Sequence, residues 1–156
     1  MSRVQLALRV SDLEGSIAFY TTLFGTGPAK LRPGYANFAI TEPPLKLVLI
    51  QGEDGEPTRM DHLGVEVEDS GLVTDSARRL ADAGLVTLEE NDTSCCYAVQ
   101  DKVWVHGPGS EPWEVYTVKA DADALGKSPV ASVCCTSGEQ VTDPGHVEVV
   151  SGSSCC

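Results

Sequence analysis

The chain has 156 residues and a mass of 16.5 kDa, enough for one ordinary domain or for two small modules sharing a core. It carries 11 Lys plus Arg against 23 Asp plus Glu, a net charge of -12, so a phosphate backbone or an anionic membrane meets repulsion over most of the surface. A hydrophobic content of 42% is that of a folded chain, and the expected partner is a small molecule, with neither nucleic acid nor membrane.

Met1 to Val10 lacks a basic segment followed by a long apolar run, and runs such as Leu47 to Ile50 are strand-sized, so a cytoplasmic chain without signal peptide or membrane span is expected. Apolar residues alternate from Gln5 to Val10, Asp12 stands where a helix cap is wanted, and Leu13, Ile17, Phe19, Tyr20 and Leu23 follow at helical spacing up to Gly25. Short strands are expected over 29–32, 35–40 and 45–51, punctuated by Pro33-Gly34 and Pro43-Pro44. After an acidic, Gly-containing linker the pattern returns at an offset of 57 residues, with Gln5 to Asp12 lying over His62 to Asp69. The second helix carries Leu72, Val73, Ala77, Leu80 and Ala81 and stops at Gly84. Strands over 85–90, 97–106 and 113–118 follow, the last entered through Gly107-Pro108-Gly109.

Each copy therefore reads βαβββ, and the expected class is α+β: a cup-shaped mixed sheet with helices on its outer face. Module one spans 1–52, the linker 53–58 and module two 59–118; residues 119–156, rich in Ala, Ser, Gly, Pro and Thr, read as a flexible tail.

The cysteines occur only as adjacent pairs: Cys95-Cys96, Cys134-Cys135 and Cys155-Cys156. Neighbouring Cα atoms lie about 3.8 Å apart, closer than an unstrained disulfide wants. Each pair is better suited to remaining reduced and gripping one soft atom with two thiolates. The two tail pairs read either as soft-metal or metalloid carriers or as exposed thiols.

Two βαβββ copies and the stretch His106-Gly107-Pro108-Gly109-Ser110-Glu111-Pro112-Trp113-Glu114-Val115 resemble the vicinal oxygen chelate superfamily, which includes glyoxalase I, extradiol dioxygenases and fosfomycin-resistance proteins. His106 departs from the Asp usual at the turn. Strand parity puts Leu6, Leu8 and Val10 toward the helices, and Gln5, Ala7 and Arg9 on the concave face with His62, Gly64, Glu66, Glu114 and Tyr116. The resemblance implies that Gln5, His62 and Glu114 are metal ligands, a 2-His-1-carboxylate arrangement with Gln in one His slot. It implies Fe(II), with Mn, Ni, Zn or Co able to substitute, and O2 as cosubstrate. His106 and His146 are weaker candidates, one before a turn and the other in the tail.

With a vicinal thiol pair in a polar loop at the rim, 91–97, the chain further resembles the carbon–arsenic lyases of that superfamily. That resemblance implies a trivalent organoarsenical, methyl or aromatic, held by Cys95 and Cys96 and cleaved to arsenite. Tyr97 and Lys102, with Gln100 and Tyr116 beside them, are candidates to orient an oxygen intermediate or donate a proton. One chain suffices for the cleft, so a monomer or a homodimer is expected. Two alternatives stand beside this reading. A glyoxalase or fosfomycin-type thiol transferase is weakened because Lys46 lies near the place of a fourth ligand; the other is a protein that sequesters cadmium or arsenite.

Overall fold

The computed structural model describes residues 2–123. The elements run β1 (Arg3–Val10), α1 (Leu13–Phe24), β2 (Lys30–Arg32), β3 (Tyr35–Ile40), β4 (Leu45–Gln51), β5 (Arg59–Glu66), α2 (Ser70–Asp82), β6 (Thr87–Cys95), β7 (Ala98–His106) and β8 (Pro112–Asp121). The strands form one eight-stranded sheet in the order β2-β3-β4-β1-β5-β8-β7-β6. Its two halves have the same plan: β1 lies parallel to β4, β5 lies parallel to β8, and β1 meets β5 antiparallel at the seam. The expected repeat of βαβββ is thus the architecture.

Both helices begin on an aspartate. Asp12 accepts from the Gly15 amide at 2.8 Å and Asp69 from the Leu72 amide at 3.0 Å, satisfying N–H groups that a helix start leaves free. Helix α1 ends at Gly25, whose φ of 66° is the left-handed stop that glycine adopts without a Cβ clash. Helix α1 covers one face of the first half, with Leu13, Ile17, Tyr20 and Phe24 packed on Val10, Phe38, Leu47 and Leu49. Helix α2 covers the second half through Val73, Ala77 and Leu80 against Val103 and Val115. Phe19 and Leu23, grouped with the apolar helix face in the sequence, point outward, as does Leu72. The contact stripe follows i, i+4, i+7 and i+11 from Leu13, and Phe24 completes it in place of Leu23.

Two boundaries differ from the sequence expectation. Strand β6 continues through 91–95, where a polar loop was expected, because an edge strand pairs only with β7 and tolerates polar side chains toward solvent. Strand β8 runs three residues past 118, with Asp121 opposite Ala98, so 119–121 belong to the sheet. His146 and the pairs Cys134-Cys135 and Cys155-Cys156 lie outside the described residues. Among the described residues no helix is long and apolar enough to cross a membrane.

Candidate metal centre

Strand register assembles the centre. Gly64 on β5 pairs with Gln5 on one side and Glu114 on the other, so these two side chains stand as lateral neighbours across a residue with no side chain. The same row continues to Lys46 beyond Gln5 and to Trp104 beyond Glu114. His62, two residues before Gly64, faces the same side. The next row is Arg3, Glu66, Tyr116 and Lys102.

Gln5, His62 and Glu114 converge. Gln5 Nε2 lies 2.8 Å from Glu114 Oε1 and 2.9 Å from His62 Nε2, and the last two atoms are 3.3 Å apart. Neighbouring ligands on an octahedral ion with bonds of about 2.1 Å stand about 3.0 Å apart, so the three positions have the spacing of one octahedral face, the Gln5 position being filled here by its amide nitrogen. All three residues are no more than 3% exposed. The donor set is one imidazole, one carboxylate and one amide; no group of three His, Cys, Asp or Glu suited to a metal occurs among the described residues. The residues present fit a divalent ion with open positions, the amide being the weakest donor. A Cβ at position 64 would lie 3.2 Å from Glu114 Cγ and 3.3 Å from Gln5 Cβ and Nε2. Gly64→Ala is therefore expected to displace both side chains by a few tenths of an ångström and weaken Mn(II) binding about tenfold, with the circular dichroism spectrum unchanged; isothermal titration checks it.

The surrounding charges are placed to hold this set. His62 Nδ1 contacts Asp61 Oδ1 at 2.7 Å, and Asp61 Oδ2 accepts from Arg9 Nε, which fixes the ring and aims Nε2 at the centre. Burial opposes charge on His62, but the carboxylates of Asp61 and Glu114 outweigh it and raise its pKa to about 9. The Gln5 NH2 facing Nε2 acts against that charge: with Nδ1–H donating to Asp61, Nε2 is left to accept from the amide. Burial likewise opposes charge on Glu114, yet His62 and the ammonium of Lys102, 2.7 Å from Oε2, hold its carboxyl down to about 2. Lys102 is itself 1% exposed and sits over the rings of Trp104 and Tyr116. Lys102, expected to orient an oxygen intermediate or donate a proton, stands here as the counterion of Glu114.

The cysteine pair sits on a tight hairpin rather than in a broad loop. Cys95 is the last residue of β6, and Cys96 and Tyr97 form the two-residue connection with φ of 55° and 60°. Left-handed geometry at both positions is that of a type I′ turn, usually filled by Asn and Gly, so its cost here is offset by tertiary anchors. Tyr97 supplies them: its hydroxyl donates to Pro33 O at 3.1 Å, its carbonyl accepts from Lys30 Nζ at 3.1 Å, and its ring packs against Tyr35. Tyr97 therefore braces the turn. Gln100 donates to Cys95 O at 3.2 Å, while its Oε1 is buried with no partner.

The two thiols are free, with Sγ atoms 3.3 Å apart. The hydrogen bond from Cys96, aided by the charge of Lys102, lowers the Cys95 pKa to about 7, whereas the bond to Cys95 and burial push Cys96 well up. One proton leaves near neutrality and the second is retained. Alkylation by iodoacetamide is expected to modify one thiol, with a rate rising about tenfold per pH unit below 7 and levelling above it; mass spectrometry on timed samples checks this. A cavity of about 230 Å³ lined by Tyr35, Asn37, Lys46, Glu66 and Cys96 adjoins the pair. His106 ends β7 in an exposed position, away from the triad.

A family model described as Glyoxalase/Bleomycin resistance protein/Dioxygenase superfamily matches residues 3–115. Over all 156 residues the chain is 67% identical to the whole of a trivalent organoarsenical cleaving enzyme from Thermomonospora curvata. It is 56% identical over 143 residues to a cadmium-induced protein, CadI, from Mycobacterium tuberculosis, covering 86% of this chain and 93% of that protein. Among solved structures, an extradiol ring-cleaving dioxygenase from B. fuscum matches with a TM-score of 0.56 at 19% identity, over 79% of this chain and 34% of that one. The Mn(II)-bound glyoxalase from Novosphingobium aromaticivorans matches with a TM-score of 0.56 at 20% identity, over 80% of this chain and 42% of that one. These two likenesses are of fold. With the duplicated βαβββ sheet, the family match and the full-length relative, the chain belongs to the glyoxalase, bleomycin resistance protein and dioxygenase superfamily.

Proposed function

We propose that this chain is a carbon–arsenic lyase that removes the organic group from trivalent organoarsenicals and releases arsenite. The observation that carries the reading is the pairing of two devices on one protein. A free vicinal thiol pair lies close enough to Lys102, Glu114 and His62 for their charges to act on Cys95, and the last two belong to the convergent Gln5, His62 and Glu114 set, which Lys102 adjoins. The 67% identity to a trivalent organoarsenical cleaving enzyme supports it independently.

Cys95, ionised near neutrality, attacks arsenic first, and Cys96 follows. A methylarsenite bearing two hydroxyls exchanges both for sulfur, forming two As–S bonds; one departing hydroxyl takes a proton from solvent and the other the Cys96 proton, so two waters leave while arsenic stays trivalent and the As–C bond is untouched. This anchors the substrate by arsenic and leaves carbon to be presented, a positioning effect. The cavity beside Cys96 is the space for the organic group. Asp61 orients His62, Lys102 keeps Glu114 ionised, and burial of all three ligands excludes water. Gln5, His62 and Glu114 would hold Fe(II), which would supply dioxygen activation when bound, and the same three donors could take Mn, Ni, Zn or Co in its place. Reduced vicinal thiols fit a reducing, cytoplasmic setting.

A redox-neutral glyoxalase or thiol transferase is disfavoured by Val48. The 57-residue offset and the strand registers make this buried valine the β4 counterpart of Glu114 on β8, so the first half places no fourth donor there, and the nearby Lys46 is engaged with Glu66 and Tyr116. Anaerobic protein loaded with Fe(II) and methylarsenite should release no arsenite until air is admitted, whereas a redox-neutral transferase has no use for oxygen. The 56% identity to a cadmium-induced protein favours a second reading, sequestration by the cysteines without turnover. It predicts stoichiometric binding that survives loss of Glu114.

A further inference from the structure

Gln5 presents the wrong end of its amide for a metal. Its Nε2 faces Glu114 Oε1 and His62 Nε2, while its Oε1 accepts from the Tyr116 hydroxyl at 2.5 Å. An amide NH2 carries no lone pair for a cation, so a ligating Gln5 must offer Oε1. A half-turn about the last side-chain torsion exchanges the two ends without moving a carbon atom. Oε1 would then stand against Glu114 Oε1 and the lone pair of His62 Nε2, three acceptors in contact, which a cation between them relieves.

The groups behind Gln5 are built for this exchange. The Tyr116 oxygen lies 2.5 Å from Gln5 Oε1, 2.9 Å from Glu66 Oε2 and 3.0 Å from Lys46 Nζ. A phenol has one proton. While Oε1 faces it, Tyr116 gives that proton to Gln5 and its contact with Glu66 goes without one. Once Nε2 faces it, the proton passes to Glu66, the oxygen accepts from Gln5 and Lys46, and all three contacts are donor to acceptor. Glu66 is held ready as an acceptor by Arg3 Nη2 and Lys46 Nζ, each at 2.9 Å.

We propose that metal binding reverses the Gln5 amide, and that Tyr116, Glu66 and Lys46 are positioning residues that receive the reversed amide through a single shift of the Tyr116 hydroxyl proton from Gln5 to Glu66. The proposal rests on the metal-site reading above. Tyr116→Phe selects against the metal-binding orientation, because the neighbouring Lys46 ammonium can donate to Oε1 in place of Tyr116 but cannot accept from Nε2.

The test is proton NMR of the full, 15N-labelled chain titrated with Zn(II), the Gln5 side-chain NH2 being assigned from its absence in Gln5→His. The expected result is cross-relaxation from that NH2 to the His62 ring without metal and to the Tyr116 ring with Zn(II). Tyr116→Phe should raise the Zn(II) dissociation constant about tenfold, the worth of one buried hydrogen bond. Zn(II) that binds while the NH2 keeps its contact with His62, or that binds Tyr116→Phe as tightly as the parent, overturns the reversal alone. Zn(II) that does not bind overturns the metal site and the reversal together.

Discussion

Glu114→Ala is expected to abolish metal binding and to lower arsenite release by at least about a thousandfold. The carboxylate is the only anion among the three convergent side chains, and the remaining imidazole and amide are both neutral donors. The same change strips Lys102 of its partner in a site where that ammonium is 1% exposed, a loss of about 3–5 kcal/mol in fold stability. Thermal unfolding separates the two effects. Glu114→Gln keeps the shape and a hydrogen-bond acceptor for Lys102, so it should lose much less stability yet still lose metal affinity. If Glu114→Gln bound Mn(II) like the parent chain, Glu114 would not be a ligand.

Cys95→Ser and Cys96→Ser should each weaken methylarsenite binding by about a hundredfold to ten-thousandfold, because a single thiolate loses the effective concentration of its neighbour. Neither should change Mn(II) affinity much, since neither sulfur is among the convergent ligand atoms. Tryptophan fluorescence is a suitable readout, as Trp104 lies beside His62 with ring centroids 5.4 Å apart. An arsenical affinity unchanged in both variants would remove the pair from substrate capture. Lys102→Met should raise the Cys95 pKa toward its ordinary value and shift the alkylation profile to higher pH, because the Lys102 charge favours the thiolate.

Much of this was written in alternation and repetition. The offset of 57 residues placed Gln5 and His62 at equivalent points of two copies, and period-two parity turned both, with Glu114, to the concave face. What alternation cannot give is lateral register. Nothing in the sequence says that Gly64 sits between Gln5 and Glu114, or that Glu66 stands beside Tyr116, because pairing across strands depends on the whole sheet. The cluster of Lys46, Glu66 and Tyr116 was missed for that reason, although Glu66 and Tyr116 share the parity of the site residues. The hairpin carrying Cys95 and Cys96 was obscured differently. Asn91 to Ser94 is polar, and an edge strand needs no apolar alternation on its open side. Tyr97 and Lys102 both looked like reactive groups. Only the fold distinguishes a tyrosine braced on Pro33 from a lysine aimed at Glu114.

On the proposed function, one chain captures an organoarsenical by two thiols and cleaves it at the Gln5, His62 and Glu114 centre. The most direct measurement is the number of arsenite molecules released per chain from excess methylarsenite, with Fe(II) and a thiol reductant, in air. The expected result is many arsenite molecules per chain, with none from Glu114→Ala or from Cys95→Ser/Cys96→Ser. Tight methylarsenite binding with no arsenite produced would contradict it and leave a sequestering protein.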